Sequence, residues 1–268
     1  MKKQLLTWRH YFLFFSALVL STGCDVGHIS IDGENGGANG SPLSSDSIRV
    51  RIVGPSHIRA GECNYYKIYL LNDNGDQINL DNASIDLSSS ISIFQDANCQ
   101  VPIQRLENLA DGSSQFYLAA QHVGGTFVRG DLVSRDYFAR QDIQVVAGDP
   151  SQVVVTGPQR TAALRCTEFQ VQLLDAFGNS ASSTTTTTVG VIPDGTVQED
   201  FYSDENCSVQ AQSFNIAPTQ TNRKIYFFAY NEGLTHYDYQ SIGLSGGRAS
   251  VEVLGTDTPS INLSVGSG

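Results

Sequence analysis

Gly243-Leu244-Ser245-Gly246-Gly247 has the G-x-S-x-G spacing of a nucleophile elbow. There a serine sits on a sharp strand-to-helix turn and is activated by a histidine further along the chain. The residues that follow, RASVEVLG, read as a strand, and no histidine lies beyond His236. The pentapeptide therefore reads as a glycine-rich turn, and no enzyme is expected. Arg129-Gly130-Asp131 is an R-G-D tripeptide, which on a loop between late strands would be an adhesion element. His28, His57, His122 and His236 show no H-x₃-H or H-E-x-x-H spacing that would hold a metal. Asp73, Asp76, Asp81 and Asp149 offer oxygen ligands for Ca²⁺ at turns, without a D-x-[DN]-x-[DN]-G loop; no other cofactor is expected. Thr184 to Thr188 reads as a polar strand or loop, or alternatively as an O-glycosylated run. Tyr65, Tyr66 and Tyr69, Phe201 and Tyr202, Tyr226 to Tyr230, and Tyr237 and Tyr239 exceed what a core requires. Phe227 and Phe228 cannot both face inward on one strand. One aromatic face is therefore exposed or lies in a domain interface, its rings pairing across strands or, alternatively, stacking on a glycan or binding a protein partner.

Five cysteines leave one without an internal mate. Lys2, Lys3 and Arg9 precede the apolar run Tyr11 to Leu20, which is too short to span a bilayer. The small residues Ser21, Thr22 and Gly23 and then Cys24 complete a secretory pattern. It resembles a bacterial lipobox, in which the cysteine after the cleavage point is diacylated, though Ser21 stands where Leu, Val or Ile is usual. Residues 1–23 are thus expected to be a lipoprotein signal peptide and Cys24 the lipidation site, anchoring the chain to a membrane through acyl chains. The whole chain has 16 basic and 27 acidic residues, a net charge of −11. Residues 1–23 hold three of the basic and none of the acidic residues, so the mature chain carries −14. That balance excludes a nucleic-acid partner, which would need a basic footprint.

Residues 24–46 are rich in Gly, Ser, Asn and Asp, with too little apolar surface to fold. They read as a lipidated flexible tether spanning about 25 Å. Beyond them the sequence repeats. With a shift of 103, Gly54-Pro55 falls on Gly157-Pro158, Ala60 on Ala163, Cys63 on Cys166 and Gly75 on Gly178. A longer second copy moves the shift to 108, which lays FQDANCQV (94–101) on YSDENCSV (202–209) and pairs Cys99 with Cys207. The copies span 47–148 and 151–255, leaving 256–268 as a C-terminal tail.

Each copy reads as β. Tyr66, Ile68 and Leu70 alternate with Lys67 and Tyr69, as Phe169, Val171 and Leu173 do in the second copy. Ile85, Leu87, Ser89, Ile91 and Ile93 alternate over a longer stretch, and NDNGD (72–76) and DAFGN (175–179) signal hairpin turns. About 100 residues of short strands and frequent turns per copy indicate two tandem immunoglobulin-like β-sandwiches, an all-β fold. The repeat selects one disulfide pairing of three: Cys63 with Cys99 and Cys166 with Cys207, one bridge per copy. Each closes a loop of 36 or 41 residues and stabilises by about 4 kcal/mol in the chain-entropy model. Disulfides also fit export from the cytosol. The junction Gly148-Asp149-Pro150 is too short for free tumbling.

The Gly-Pro strand, the aromatic alternating strand, LLDAFGN (173–179) and FYSDENC (201–207) resemble the tandem bacterial immunoglobulin-like repeats of cell-surface proteins. That group includes the invasin and intimin-type adhesins. The likeness covers about 200 of the 268 residues. It implies a cell-envelope lipoprotein facing the periplasm or the exterior, serving display, spacing or adhesion with a protein partner of the envelope or surface. The alternative is a glycan-binding module using the aromatic face.

Overall fold

The computed structural model describes residues 48–109, 111–133 and 135–256. The expected signal peptide (1–23), Cys24, the expected tether (24–46) and the residues beyond 256 lie outside the described residues. The fold is all-β: no helix occurs among the described residues, and so none that is long and apolar enough to cross a membrane.

In the first copy, β1 (Arg49–Val53), β3 (Asn64–Leu71), β7 (Ser113–Ala119) and β5 (Ser92–Phe94) form one sheet in that order. The second sheet runs β2 (His57–Arg59), β9 (Phe138–Val146), β8 (Gly124–Leu132), β4 (Ile85–Ser89) and β6 (Arg105–Leu106). Inward residues of both sheets share one core that includes Tyr66, Ile68, Leu70, Ile85, Phe116 and Val128. The second copy repeats the strand arrangement, but its two faces join into one nine-stranded sheet where its first strand pairs in parallel with its last, Gln152 with Ser245. β10 (Gln152–Thr156), β12 (Thr167–Leu174), β16 (Asn222–Ala229) and β14 (Glu199–Tyr202) line one face. β11 (Arg160–Ala162), β18 (Leu244–Leu254), β17 (Gly233–Ser241), β13 (Thr187–Pro193) and β15 (Ser213–Ile216) line the other. Its core is separate from the first and more aromatic, with Phe169, Phe201, Phe214, Phe227 and Tyr237. Phe169 packs against Phe201, Phe227 and Tyr237 at ring-centroid distances of 5.6–6.3 Å.

The Gly-Pro pairs explain themselves in this packing. Proline has no N–H to continue a ladder, so β1 ends there and the chain crosses to the other sheet as β2, parallel to β9. Gly54 passes so close to the Tyr66 ring that a Cβ would lie 2.1 Å from it, and Gly157 stands the same way to Phe169. Tyr66 then donates its hydroxyl to the Pro55 carbonyl at 2.7 Å.

Three expectations need correction. The alternating stretch 85–93 is two strands in opposite sheets: β4 pairs with β8, and β5 pairs with β7. The break lies at Ser90–Ile91, where the Ile91 N–H turns back to the Ser89 hydroxyl at 3.2 Å. The alternation survives because Leu87 and Ile93 enter the same core from its two sides. The NDNGD and DAFGN turns do not join two paired strands. Each closes a single bridge, Leu71 with Gln77 and Leu174 with Ser180, through Gly75 and Gly178 at φ of +84° and +83°. After either turn the chain leaves for the opposite sheet. The last strand, expected from RASVEVLG, begins earlier, at Leu244.

Candidate functional site

The structure bonds Cys63 to Cys99 and Cys166 to Cys207, each with a Cα–Cα distance of 5.8 Å. Cys63 and Cys166 immediately precede β3 and β12, and their partners lie in loops after β5 and β14. An aspartate builds each loop. Asp96 accepts the N–H groups of Asn98, Gln100 and Val101 at 2.6–3.1 Å, and the Val101 bond above all holds its carboxyl below the usual range. Asp204 does the same through the Ser208 hydroxyl and the Val209 N–H. This role was readable in the recurring D-x-N-C of both copies but was not assigned from sequence.

Arg129-Gly130-Asp131 is not on a loop. It lies in the middle of β8, paired with β4 on one side and β9 on the other. Gly130 faces the core, where a Cβ would come within 2.5 Å of Ile68. Arg129 binds Asp131 at 2.6 Å and lies 4.0 Å over the Phe138 ring, so the two charges are turned to each other. The GLSGG segment contains the tight β17–β18 turn, in which Gly243 has φ +78° and Ser241 pairs with Leu244. Ser245 donates to the Ser151 carbonyl at 3.3 Å. Asp149 pairs with Arg59 at 2.5 Å and Asp73 with Arg49 at 3.5 Å, while Asp76 accepts from the Asn72 amide. No group of three or more His, Cys, Asp or Glu converges on a metal-sized point among the described residues. Thr187 and Thr188 open β13, and Thr184 to Thr186 precede it.

The aromatics divide as strand geometry requires. Phe227 is buried in the core and Phe228 faces outward. Outside the core, Phe228 meets Tyr202 and Tyr230 edge-on at centroid distances of 6.4 and 5.0 Å. The Tyr202 and Tyr230 hydroxyls join at 3.1 Å, and Tyr230 is 42% exposed. These rings pack on one another's edges and do not present a flat row.

The most elaborate polar site joins the two copies. Asp175 is 1% exposed, and its Oδ1 accepts the N–H groups of Phe177 and Asn179, both at 2.9 Å. Its Oδ2 accepts the Asn179 amide at 2.8 Å and the Gly148 N–H at 3.0 Å. Burial pushes the carboxyl up, but these donors outweigh it and hold the group below the ordinary range. Asn179 reaches the first copy, donating to the Gln121 carbonyl at 2.7 Å and accepting from the Val123 N–H at 3.3 Å. Phe177 lies against Gly61, whose φ is +84° and where a Cβ would meet the ring at 2.5 Å. A turn signal in the sequence thus doubles as the contact between copies, which local spacing cannot disclose.

The far end of the second copy differs. Strand register places Asp194 where the first copy has Ser90, and Glu199 where it has Ile91. Ser90 and Thr126 share a hydroxyl hydrogen bond of 2.6 Å. The counterpart of Thr126 is the buried Thr235, whose hydroxyl donates to Glu199 Oε1. Glu199 is 7% exposed, and among the described residues its buried Oε2 has no protein partner. Burial, reinforced by the charges of Asp194 and Asp200 and opposed by the Thr235 bond, pushes its carboxyl up to about 7. Asp194, held by the Thr196 hydroxyl and N–H, sits at about 2 and also pairs with Arg248 at 3.2 Å.

No protein-family model matches the chain, and no curated protein matches its sequence. Among solved structures, Escherichia coli alpha-2-macroglobulin activated by porcine elastase aligns with 80% of this chain and 22% of its own, at 10% identity and a TM-score of 0.41. The Escherichia coli adhesin FdeC aligns with 80% of this chain and 66% of its own, at 15% identity and a TM-score of 0.38. A beta-glycosidase from Bacteroides vulgatus aligns with 78% of this chain and 25% of its own, at 15% identity and a TM-score of 0.34. At such TM-scores these likenesses constrain neither activity nor partner.

Proposed function

We propose that the chain is a non-enzymatic envelope lipoprotein that displays or spaces a surface away from the membrane, held by acyl chains on Cys24 and working with a protein partner of the envelope. The contact between the copies carries this reading. Asn179, Asp175 and Phe177 tie the start of the second sandwich to the end of the first with four named contacts, and Arg59 and Asp149 add an exposed ion pair. Two units joined in this way keep a set distance between their ends, as a spacer must. Two disulfides among the described residues support a compartment outside the cytosol.

Two measurements test it. Cys24→Ala is expected to abolish lipid labelling and membrane fractionation; continued labelling overturns the anchor. Spin labels placed on β1 and β17 of the full chain are expected to give one narrow distance distribution by pulsed electron resonance. A broad distribution overturns the spacer.

A further inference from the structure

A cavity of about 630 Å³ lies where the first copy meets the second, within the roughly 300–1,000 Å³ range of small-ligand sites. Phe94 of β5 and Phe177 of the second copy are the aromatic residues of its wall. Asn98, Gln121, His122, Ser90 and Thr126 are polar residues of the same wall, the Ser90 and Thr126 hydroxyls bonded to each other. Among the described residues no Asp, Glu, Lys or Arg lines it, although the chain as a whole carries −11.

That lining selects a ligand class. A cation would find no carboxylate, and an anion would find no lysine or arginine, only the His122 imidazole, inside an acidic protein. A purely apolar ligand would offer the Asn98 and Gln121 amides no partner, at a cost of about 1–3 kcal/mol for each group that becomes buried; Ser90 and Thr126 already satisfy each other. Aromatic rings beside neutral donors and acceptors suit a molecule that alternates C–H faces with hydroxyls. The walls are also set in place beforehand. The Cys63–Cys99 bridge and the Asp96 carboxylate fix the loop carrying Asn98, and Asn179 fixes the turn carrying Gln121 and Val123. The counterpart region of the second copy has lost this character, with Asp194, Glu199 and Glu232 where the first has Ser90, Ile91 and Val123.

We propose that this junction cavity binds a neutral saccharide of one or two rings, stacked between Phe94 and Phe177 and hydrogen-bonded by Asn98 and Gln121. The site needs both copies, because Phe177 belongs to the second. The envelope role does not depend on it.

Titrating the ¹⁵N-labelled full chain with cellobiose, lactose and N,N′-diacetylchitobiose tests the proposal. At least one sugar is expected to give saturable shifts in the amides of Asn98, Gly124 and Gly125. Phe94→Ala, Phe177→Ala and Asn98→Ala are each expected to weaken binding about tenfold, the loss of one stacking or charge-free polar contact. Tyr230→Ala is expected to leave binding unchanged. Phe177→Ala also touches the contact between copies; Phe94→Ala and Asn98→Ala do not. The proposal is overturned if none of the three sugars gives saturable shifts, if the shifts centre on Tyr202, Phe228 and Tyr230, or if Phe94→Ala and Asn98→Ala both bind like the parent.

Discussion

The two copies share a strand plan and a disulfide, yet their equivalent ends have opposite chemistry. The first ends in Ser90, Ile91 and Thr126, neutral groups beside a cavity that the second copy helps to enclose. The second ends in Asp194, Glu199 and Thr235, where a carboxyl oxygen is buried with no protein partner among the described residues. Duplication preserved what the sandwich needs, namely the core phase, the Gly-Pro crossing and the bridge. It left free what lies at the ends. A fold-preserving repeat can therefore carry two different surfaces, and the difference concentrates where copies meet or stop meeting.

The largest effect expected concerns whether the cores are independent. Phe169→Ala is expected to cost the second copy about 4 kcal/mol, since Phe169 touches three other core rings. The first copy's urea transition, followed by amide exchange, is expected to stay in place. A shared loss would mean that the copies unfold as one unit.

The next effect is specific to the second copy. Glu199 holds its proton more tightly when folded than the ordinary value of 4.5 allows when unfolded. Its neutral form contributes fully below about pH 4.5, and that contribution is lost as pH rises through about 7. The second copy is thus expected to lose up to about 3 kcal/mol between pH 4.5 and 8. Glu199→Gln is expected to flatten that dependence and leave the first copy unmoved. An unchanged pH profile in denaturant titrations would remove the electrostatic half of the comparison.

Asn179→Ala is expected to have the smallest effect, about 1–2 kcal/mol through its lost bonds to Gln121, Val123 and Asp175. The spin-label distance distribution should broaden. A distribution as narrow as the parent's would assign the junction to Phe177 and Asp175 alone.

Much of the fold was legible because its signals are local. Inward residues two apart, Gly-Pro at a crossing and cysteines at a repeated spacing each follow from neighbours in sequence. The R-G-D tripeptide misled because glycine beside charges suggests a turn. The better signal was Val128, Gly130 and Leu132 on one parity, with glycine demanded by the approach of Ile68. Glu199 was visible in principle: Val197, Glu199 and Phe201 share the buried phase, so a carboxylate occupies a core position. The role of Asn179 was not legible, because its partners Gln121 and Val123 are 58 and 56 residues away. Whether a turn faces solvent or another unit is decided by the arrangement of whole sandwiches.

Gly61 and Leu164 occupy the same place in the two copies, and both have positive φ, +84° and +58°. The first leaves a socket for a phenylalanine ring, and the second fills the corresponding space with a side chain that is 61% exposed. Position 164 therefore offers no such socket. A gene duplication that appended a third unit bearing the same D-A-F-G-N turn would meet a branched side chain at the docking point.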